Sequence, residues 1–531
     1  MPPNGKTLLS TRRFFGRGEP VADGWSETAP RSRAWEAAYR DRWQHDRIVR
    51  STHGVNCTGS CSWKIHVKEG IVTWETQQTD YPENGPDVPD YEPRGCQRGA
   101  SFSWYVYSPL RVRYPYVRGA LLEAWRAELE RTGDPVEAYA AVVNDPRKRA
   151  AYVSQRGKGG FVRASWDEVA DLVAASHVHT IRRYGPDRVV GFSPIPAMSM
   201  ASFTAGARYH SLIGGVLTSF YDWYCDLPPA SPMMWGDQTD VPESADWWNA
   251  TYMIMWGSNI PMTRTPDAHF MTESRYRGMK TVVVSPDYSD HTKFADHWLP
   301  VHPGTDAALA MAMAHVIVRE FYVDRQVPYF QDYARRFTDL PHLVVLDPRG
   351  DAHTPGAFLR ASDIGEGGEN PEWKTVVIDS ATGAPSVPNG SVGYRWGDEG
   401  KGKWNLDVEG VTAAITLLGR HDELVEIDLP RFDTGTDEAG TVMRRGVPAV
   451  RIGDKLVTTV FDMLAAQLGV HREGLPGDWP KSIDDPEPYT PAWQAEITGV
   501  DAALCTRIAR EFARNAERTN GRSMITMGAG T

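Results

Sequence analysis

Short apolar runs that end at glycine or at a polar residue recur along the chain. Runs of four or five such residues are typical of buried strands, and they occur at Val189–Phe192, in "TYMIMWGSN" up to Gly257, in "KTVVVSPD" up to Asp287, and at Met524–Met527. Apolar positions at helical spacing predict helices in "AALAMAMAHVIV" and "DAALCTRIAREFARNAER". Strands that alternate with helices predict an α/β fold with a parallel sheet.

Polar residues follow these strands where a parallel sheet binds ligands, at the carboxyl ends of its strands. They are Ser258 and Asn259, Asp287, and the Gly304 turn with Asp306 at a helix start. Helix N-termini suit pyrophosphate, and an acidic side chain can accept a hydrogen bond from a ribose or guanine. Ordinary turns and a helix cap are the alternative interpretation of each residue taken alone.

Two later stretches lack such a clear pattern. Residues 345–450 are rich in Gly, Pro, Asp and Thr, which predicts surface loops with short strands. The segment "VTTVFDMLAAQLGV" has helical spacing, and Cys505 is expected to pack on the apolar side of the later helix.

Composition excludes several classes of protein. A formal net charge of −11 argues against a chain built around nucleic acid, and no apolar run is long enough to cross a membrane. Five cysteines in 531 residues do not make a secreted disulfide framework. "STRRFFGRG" resembles a twin-arginine signal, but no apolar stretch or cleavage site follows, so residues 1–45 are interpreted as a retained tail.

Three of those cysteines lie close together, with a histidine before them. His53, Cys57, Cys61 and Cys96 have the pattern H-x3-C-x3-C-x34-C in glycine-containing loops. Three thiolates and one imidazole can hold zinc or an iron–sulfur cluster, and the C-x3-C spacing favours iron–sulfur over zinc. The alternative is a purely structural role, with buried cysteines and a histidine packed in the core.

The stretches "HGVNCTGSCSWKIHVKEGIVTWETQQTDYP" and "YEPRGCQRGASFSWY" resemble the catalytic alpha subunits of membrane-bound respiratory nitrate reductases. These subunits are molybdopterin oxidoreductases, and the resemblance runs through almost the whole chain after about residue 35. It implies a [4Fe-4S] cluster held by His53, Cys57, Cys61 and Cys96. Gln97 departs from the family, which more often has Pro there.

The same resemblance assigns a molybdenum ligand in "SFYDWYCDLPPASP". It points to Asp226, whereas spacing alone leaves Asp222 and Cys225 as rivals. It also implies that Asn56 lines the substrate pocket and that Arg98 lies between cluster and pterin. The residues carried over as contacts of molybdenum bis(molybdopterin guanine dinucleotide) are Ser258, Asn259, Asp287, Gly304 and Asp306.

The resemblance further implies an activity and an architecture. Nitrate would be reduced to nitrite with electrons from an iron–sulfur beta subunit and a haem-bearing membrane gamma subunit, at the cytoplasmic face of the membrane. We expect a [4Fe-4S] domain at 46–110 and a molybdopterin α/β region at 111–531 that lacks the C-terminal pterin-binding domain, so that this chain alone reduces nitrate poorly. A perchlorate or selenate reductase, a truncated paralogue that binds only a cluster, and a zinc-binding scaffold are the alternatives.

Overall fold

The computed structural model describes residues 44–51, 61–92, 95–192, 200–218, 233–234, 242–366, 368, 370–388, 410–433 and 442–527. The chain forms two compact units. Unit 1 comprises Met1–Ala245 and Ile260–Met271, and unit 2 comprises Asp246–Asn259 and Thr272–Thr531. No helix in the described ranges is both long enough and apolar enough to span a membrane.

The described strands are β1 Arg47–Ser51, β2 Trp63–Lys68, β3 Ile71–Gln77, β4 Tyr116–Arg118, β5 Phe161–Arg163, β6 Val190–Phe192, β7 Val216–Thr218, β8 Tyr252–Trp256, β9 Lys280–Val284, β10 His297–Leu299, β11 Leu343–Arg349, β12 Ala352–Phe358, β13 Val377–Ile378, β14 Pro385–Ser386, β15 Glu423–Pro430, β16 Val442–Ile452, β17 Lys455–Thr459 and β18 Ser523–Met527.

The described α-helices are α1 Gln97–Ala100, α2 Phe102–Val106, α3 Gly119–Thr132, α4 Pro135–Val143, α5 Pro146–Val153, α6 Trp166–Tyr184, α7 Met200–Ile213, α8 Ile260–Thr263, α9 Ala268–Tyr276, α10 Asp306–Ile317, α11 Pro328–Phe337, α12 Val460–Gln467, α13 Pro491–Thr498 and α14 Ala502–Thr519. A π-helical segment, Val318–Asp324, continues α10. Short 3-10 turns lie at Pro186–Arg188, Ser244–Asn249, Thr292–Phe294 and Ala361–Ile364.

Unit 1 contains an antiparallel sheet, β1-β2-β3, and a helical layer. The sheet holds the short helix α2 through Glu75 of β3, whose carboxylate accepts hydrogen bonds from the backbone N–H and the hydroxyl of Ser103. Helices α3, α4 and α6 pack around Leu122 and Trp125, which are almost fully buried. The carboxylate of Asp134 caps the start of α4, where Pro135 occupies the first turn.

Unit 2 contains a four-stranded parallel sheet in the order β10-β9-β8-β18. Strand β8 is buried along its whole length because apolar side chains fill both of its faces. One face packs against α10 and α14 in a core that includes Ile254, Val282, Leu309 and Ile508. The parallel direction places the carboxyl ends of all four strands at one edge, which is where the candidate dinucleotide residues lie.

The rest of unit 2 is dominated by a closed barrel, β11-β12-β15-β16-β17. Strands β15 and β16 pair antiparallel from Glu423 opposite Ala449 to Pro430 opposite Val442. Ile427, Val447 and neighbouring apolar side chains form a core there.

Most sequence predictions for these elements are confirmed. The strands at 189–192, 252–257, 280–287 and 524–527 exist as β6, β8, β9 and β18, although β9 ends at Val284, before Asp287. Helices α10 and α14 are present, and Cys505 is fully buried in the core beneath the sheet.

Two predictions were wrong. The region 345–450 contains barrel strands as long as 11 residues, where we expected surface loops with short strands. The segment 457–470 is helical only from Val460, because Lys455–Thr459 forms β17 and the Thr459 hydroxyl caps the helix.

Candidate cofactor sites

The described part of the cysteine site lies in unit 1, where β2 meets the loop before α1. Cys61 is buried two residues before β2, and Cys96 is half-buried directly before α1. The indole of Trp63 packs against Gly95 and Gly99, the glycines that flank Cys96 in sequence. A Cβ on Gly95 or on Gly99 would lie 2.4 Å from Trp63 Cζ2, which is far too close for two carbon atoms. These close approaches hold the Cys96 loop against the start of β2, two residues from Cys61.

Hydrogen bonds fix the backbone next to Cys61. The Ser62 N–H donates to the Tyr81 hydroxyl over 3.1 Å. The Ser62 carbonyl accepts from the Gln77 side chain over 2.8 Å and from the Gln78 N–H over 3.0 Å. Burial raises the pKa of Tyr81, so its hydroxyl stays protonated at neutral pH. Cys61 is therefore held at a fixed position at the end of the sheet.

Trp63 also offers a donor that suits a cluster. Its indole Nε1–H is buried and donates to no group among the described residues, and Nε1 would lie 2.8 Å from a Cβ on Gly99. An unpaired buried N–H costs free energy unless an acceptor meets it. Thiolate and sulfide sulfurs of an iron–sulfur cluster accept hydrogen bonds of this kind, and such bonds tune its potential. The described residues fit a sulfur-rich group.

Several predicted site residues lie outside the described residues, namely His53, Asn56, Cys57 and Asp226, with the rivals Asp222 and Cys225. Arg98 is exposed on α1, two residues after Cys96.

The predicted dinucleotide residues of unit 2 gather at the carboxyl edge of the parallel sheet. Ser258 is buried directly after β8, and Asn259 follows it, partly buried. Asp287 follows β9, and Gly304 and Asp306 come after β10. Since β8, β9 and β10 are adjacent and parallel, these residues follow three neighbouring strand ends.

Two serines orient Asp287. The Ser289 hydroxyl donates to Asp287 Oδ2 over 2.8 Å, and the Ser285 hydroxyl donates to Oδ1 over 3.0 Å. These hydrogen bonds lower the pKa of the carboxyl, with Ser289 contributing most. Asp287 is therefore an exposed, ionised acceptor with a fixed direction, as a ribose hydroxyl or a guanine N–H requires.

Asp306 has a structural partner in addition to its predicted role. Its Oδ1 accepts a hydrogen bond from the Trp256 indole over 2.8 Å, which ties the start of α10 to the end of β8. Gly304, at φ +78°, makes the turn that precedes the helix, with open space around its Cα. The Thr305 hydroxyl donates to the His302 carbonyl and does not cap the helix. The first turn of α10 therefore begins without a side-chain cap, which leaves its backbone N–H groups to other acceptors.

The structure also shows residues that sequence reasoning missed. One of them is Trp63. The available signal was the pair of glycines around Cys96, Gly95 and Gly99, which indicates that a large side chain packs closely against this loop. Ser285 and Ser289 were missed as well, and their even spacing around Asp287 was the available signal.

Comparison with known proteins places the chain in a family. Residues 111–531 match the molybdopterin oxidoreductase family, and residues 7–43 match the respiratory nitrate reductase alpha N-terminal family. The nitrate reductase alpha subunit of Mycobacterium tuberculosis is 60% identical over 99% of this chain and 43% of its own length. The respiratory nitrate reductase 1 alpha chain of Escherichia coli is 54% identical over 99% of this chain and 44% of its own length.

The chain thus spans less than half the length of these relatives. Among solved structures, an acetylene hydratase from Pelobacter acetylenicus matches with a TM-score of 0.34 and 22% identity over 51% of this chain and 32% of that chain, a similarity too weak to support an argument. The family match, in contrast, covers about four fifths of the sequence. The chain belongs to the molybdopterin oxidoreductase family.

Proposed function

We propose that this chain acts in the alpha subunit of a respiratory nitrate reductase, where nitrate is reduced to nitrite. The observation that carries the proposal is the identity of 52–60% to nitrate reductase alpha chains of three bacteria over 98–99% of the chain. The match of residues 7–43 to an N-terminal family of the same enzymes supports it independently of the molybdopterin region.

The electron-transfer part of the proposal is a [4Fe-4S] cluster bound by His53, Cys57, Cys61 and Cys96. A sulfur-rich group on this side of the sheet is supported by the buried Cys61, the adjacent Cys96 loop and the Trp63 N–H, which has no acceptor among the described residues. The fixed positive charge of Arg98 favours the passage of electrons between two anionic cofactors.

The catalytic part is molybdenum bis(molybdopterin guanine dinucleotide), with Asp226 as the protein ligand. When bound, this group supplies oxygen-atom abstraction from nitrate. A hard carboxylate oxygen suits high-valent molybdenum. Asn56 would hold the substrate by donating its amide hydrogens to the oxyanion.

At the sheet edge of unit 2, the chain's own residues would bind one dinucleotide. Asp287 would accept a hydrogen bond from ribose or guanine, and the backbone N–H groups of the first turn of α10 would donate to phosphate oxygens. Ser258, Asn259 and Asp306 line the same edge. The direction of Asp287 is preset by its two serines, so little conformational entropy is lost when a nucleotide binds.

We further propose an iron–sulfur beta subunit and a haem-bearing membrane gamma subunit as partners, which would hold the chain at the cytoplasmic face of the membrane. Electrons from quinol would enter through them.

The test uses membranes that carry the native enzyme, assayed with a reduced viologen and nitrate, perchlorate or selenate. We expect nitrate to be the best substrate by kcat/KM. Asp226→Ala should abolish nitrate reduction, whereas the matched control Asp222→Ala, from the same stretch, should keep molybdenum and most of the activity. Full activity in Asp226→Ala, or a higher kcat/KM for perchlorate or selenate, would contradict the proposal.

A further inference from the structure

Unit 2 contains a cavity of about 740 Å³ away from the sheet edge. The π-helical segment Val318–Asp324, helix α11 and the loops around residues 414–420 and 471–474 form its wall. It shares no residue with the predicted dinucleotide contacts. Its volume lies within the range of small-molecule sites, which is about 300–1,000 Å³.

The wall of this cavity is rich in arginine. Arg319, Arg335, Arg420 and Arg472 line it, against the acidic residues Asp324 and Glu473. The side chains of Tyr322, Phe461 and Thr416 supply aromatic surface and a hydroxyl. Arginine is the residue best suited to carboxylate and phosphate, because its planar guanidinium donates two parallel hydrogen bonds.

Two of these arginines have no acidic partner among the described residues. Arg335 donates through Nε to the Ala413 carbonyl over 3.0 Å, and Arg420 donates through Nη1 to the Ser380 carbonyl over 2.7 Å. Each guanidinium is thereby oriented by a hydrogen bond to a backbone carbonyl. Within the described residues, neither positive charge is paired with a carboxylate.

Another arginine of the cavity wall, Arg472, is buried. Arg472 is 5% exposed and forms an ion pair with Asp462, which is fully buried. Its Nη1 also donates to the Thr416 hydroxyl over 3.0 Å, whereas Nε and Nη2 donate to no group in the described part of the chain. The ion pair with Asp462 explains why a cation is buried here. It leaves the Nε and Nη2 donors of Arg472 unsatisfied, at a cost of about 1–3 kcal/mol each.

We propose that this cavity binds a small organic anion that carries carboxylate or phosphate groups. Arg335 and Arg420 supply the accessible charge, and Arg472, whose charge is balanced by Asp462, supplies two N–H donors. Aromatic side chains contact the apolar part of the ligand. The proposal stands on unit 2 alone and does not depend on nitrate reduction.

The test measures binding of citrate and of inorganic phosphate to the full chain by titration calorimetry, with chloride at the same ionic strength as the reference. We expect saturable binding of at least one of the two anions, and a rise in the unfolding temperature that saturates with it. Binding of citrate alone identifies carboxylates as the ligand class, and binding of phosphate alone identifies phosphates.

Variants then test the site. Arg335→Gln and Arg420→Gln each remove a charged donor without touching the Asp462–Arg472 pair, and each should weaken binding about tenfold or more. The matched control is Arg336→Gln, because Arg336 lies on the same helix, pairs with the exposed Asp332 and does not line the cavity. The proposal is overturned if neither anion binds more tightly than chloride, or if both cavity variants bind like the Arg336 control.

Discussion

Replacing Gly99 by alanine tests the packing that joins the two cysteine loops. The added methyl would lie 2.4 Å from Trp63 Cζ2 and 2.6 Å from Cε2, whereas carbon atoms in contact are roughly 3.5–4.0 Å apart. The indole must therefore move by about 1 Å, and at 3% exposure it has little room to do so. Such overpacking costs about 1–3 kcal/mol.

The displacement also reaches the proposed cluster, because Trp63 lies two residues from Cys61. Loss of a group that supports metal ligands lowers metal affinity by about 10–100-fold. We therefore expect Gly99→Ala to lower both the midpoint of thermal unfolding and the iron content per chain, measured by circular dichroism and by elemental analysis.

The control is Gly206→Ala, in helix α7. An added Cβ there meets nothing within 4 Å. Because alanine favours a helix over glycine, this variant should be unchanged or more stable by about 0.5–1 kcal/mol, with normal iron. If Gly99→Ala matched Gly206→Ala in stability and iron, the inferred contact between Trp63 and the Cys96 loop would be refuted.

Three further predictions concern unit 2. Asp462→Ala leaves the buried Arg472 without its counter-charge, so urea unfolding should show a loss of about 3–5 kcal/mol, and Asp462→Ala combined with Arg472→Met should recover part of it. Burial lowers the pKa of His315 from 6.5 to about 4, so the buried neutral imidazole contributes up to about 3 kcal/mol to the free energy of unfolding. This contribution should be complete above about pH 6.5 and should be lost as the pH falls toward 4. A smaller loss on acidification in His315→Gln than in the parent chain would confirm this, and identical losses would contradict it. Asp306→Ala removes the acceptor of Trp256 and should cost about 1–3 kcal/mol, with a change in indole fluorescence as the direct readout.

The parallel sheet was predictable because each of its strands is recognisable from a short apolar run in the sequence. The run 252–256 is apolar at every position, as a strand buried on both faces must be. Ser258, Asn259 and Asp287 could then be assigned to one edge from strand direction alone. The even spacing of Ser285 and Ser289 around Asp287 was a signal in the sequence, but their hydrogen bonds to its carboxylate depend on the conformation of the loop.

The barrel was missed because its strands carry charged residues, and because the pairs that close it, β11 with β17 and β12 with β15, join segments far apart in sequence. Asp428 of β15 pairs with Arg444 of β16 over 3.0 Å, and this contact makes two polar positions compatible with a strand. The helix start at Val460, in contrast, had a usable signal. Thr459 and Asp462 form the T-x-x-D pattern of a helix N-terminus, which separates the preceding residues from the helix.

The cysteine site was partly predictable. Spacing alone indicated a metal centre, and glycines indicated tight loops, but the contact of Trp63 with Gly95 and Gly99 depends on how β2 meets α1 in three dimensions.

The most direct test of the account is the metal content of the protein purified without oxygen from a host that makes molybdopterin guanine dinucleotide. Iron, acid-labile sulfide, molybdenum and zinc are measured on the same sample. We expect about four iron and four sulfide in this chain, in addition to those of an iron–sulfur partner subunit, with molybdenum in the native enzyme and iron lost in Cys61→Ala and Cys96→Ala. Stoichiometric zinc without sulfide, or iron unchanged in both cysteine variants, would contradict it.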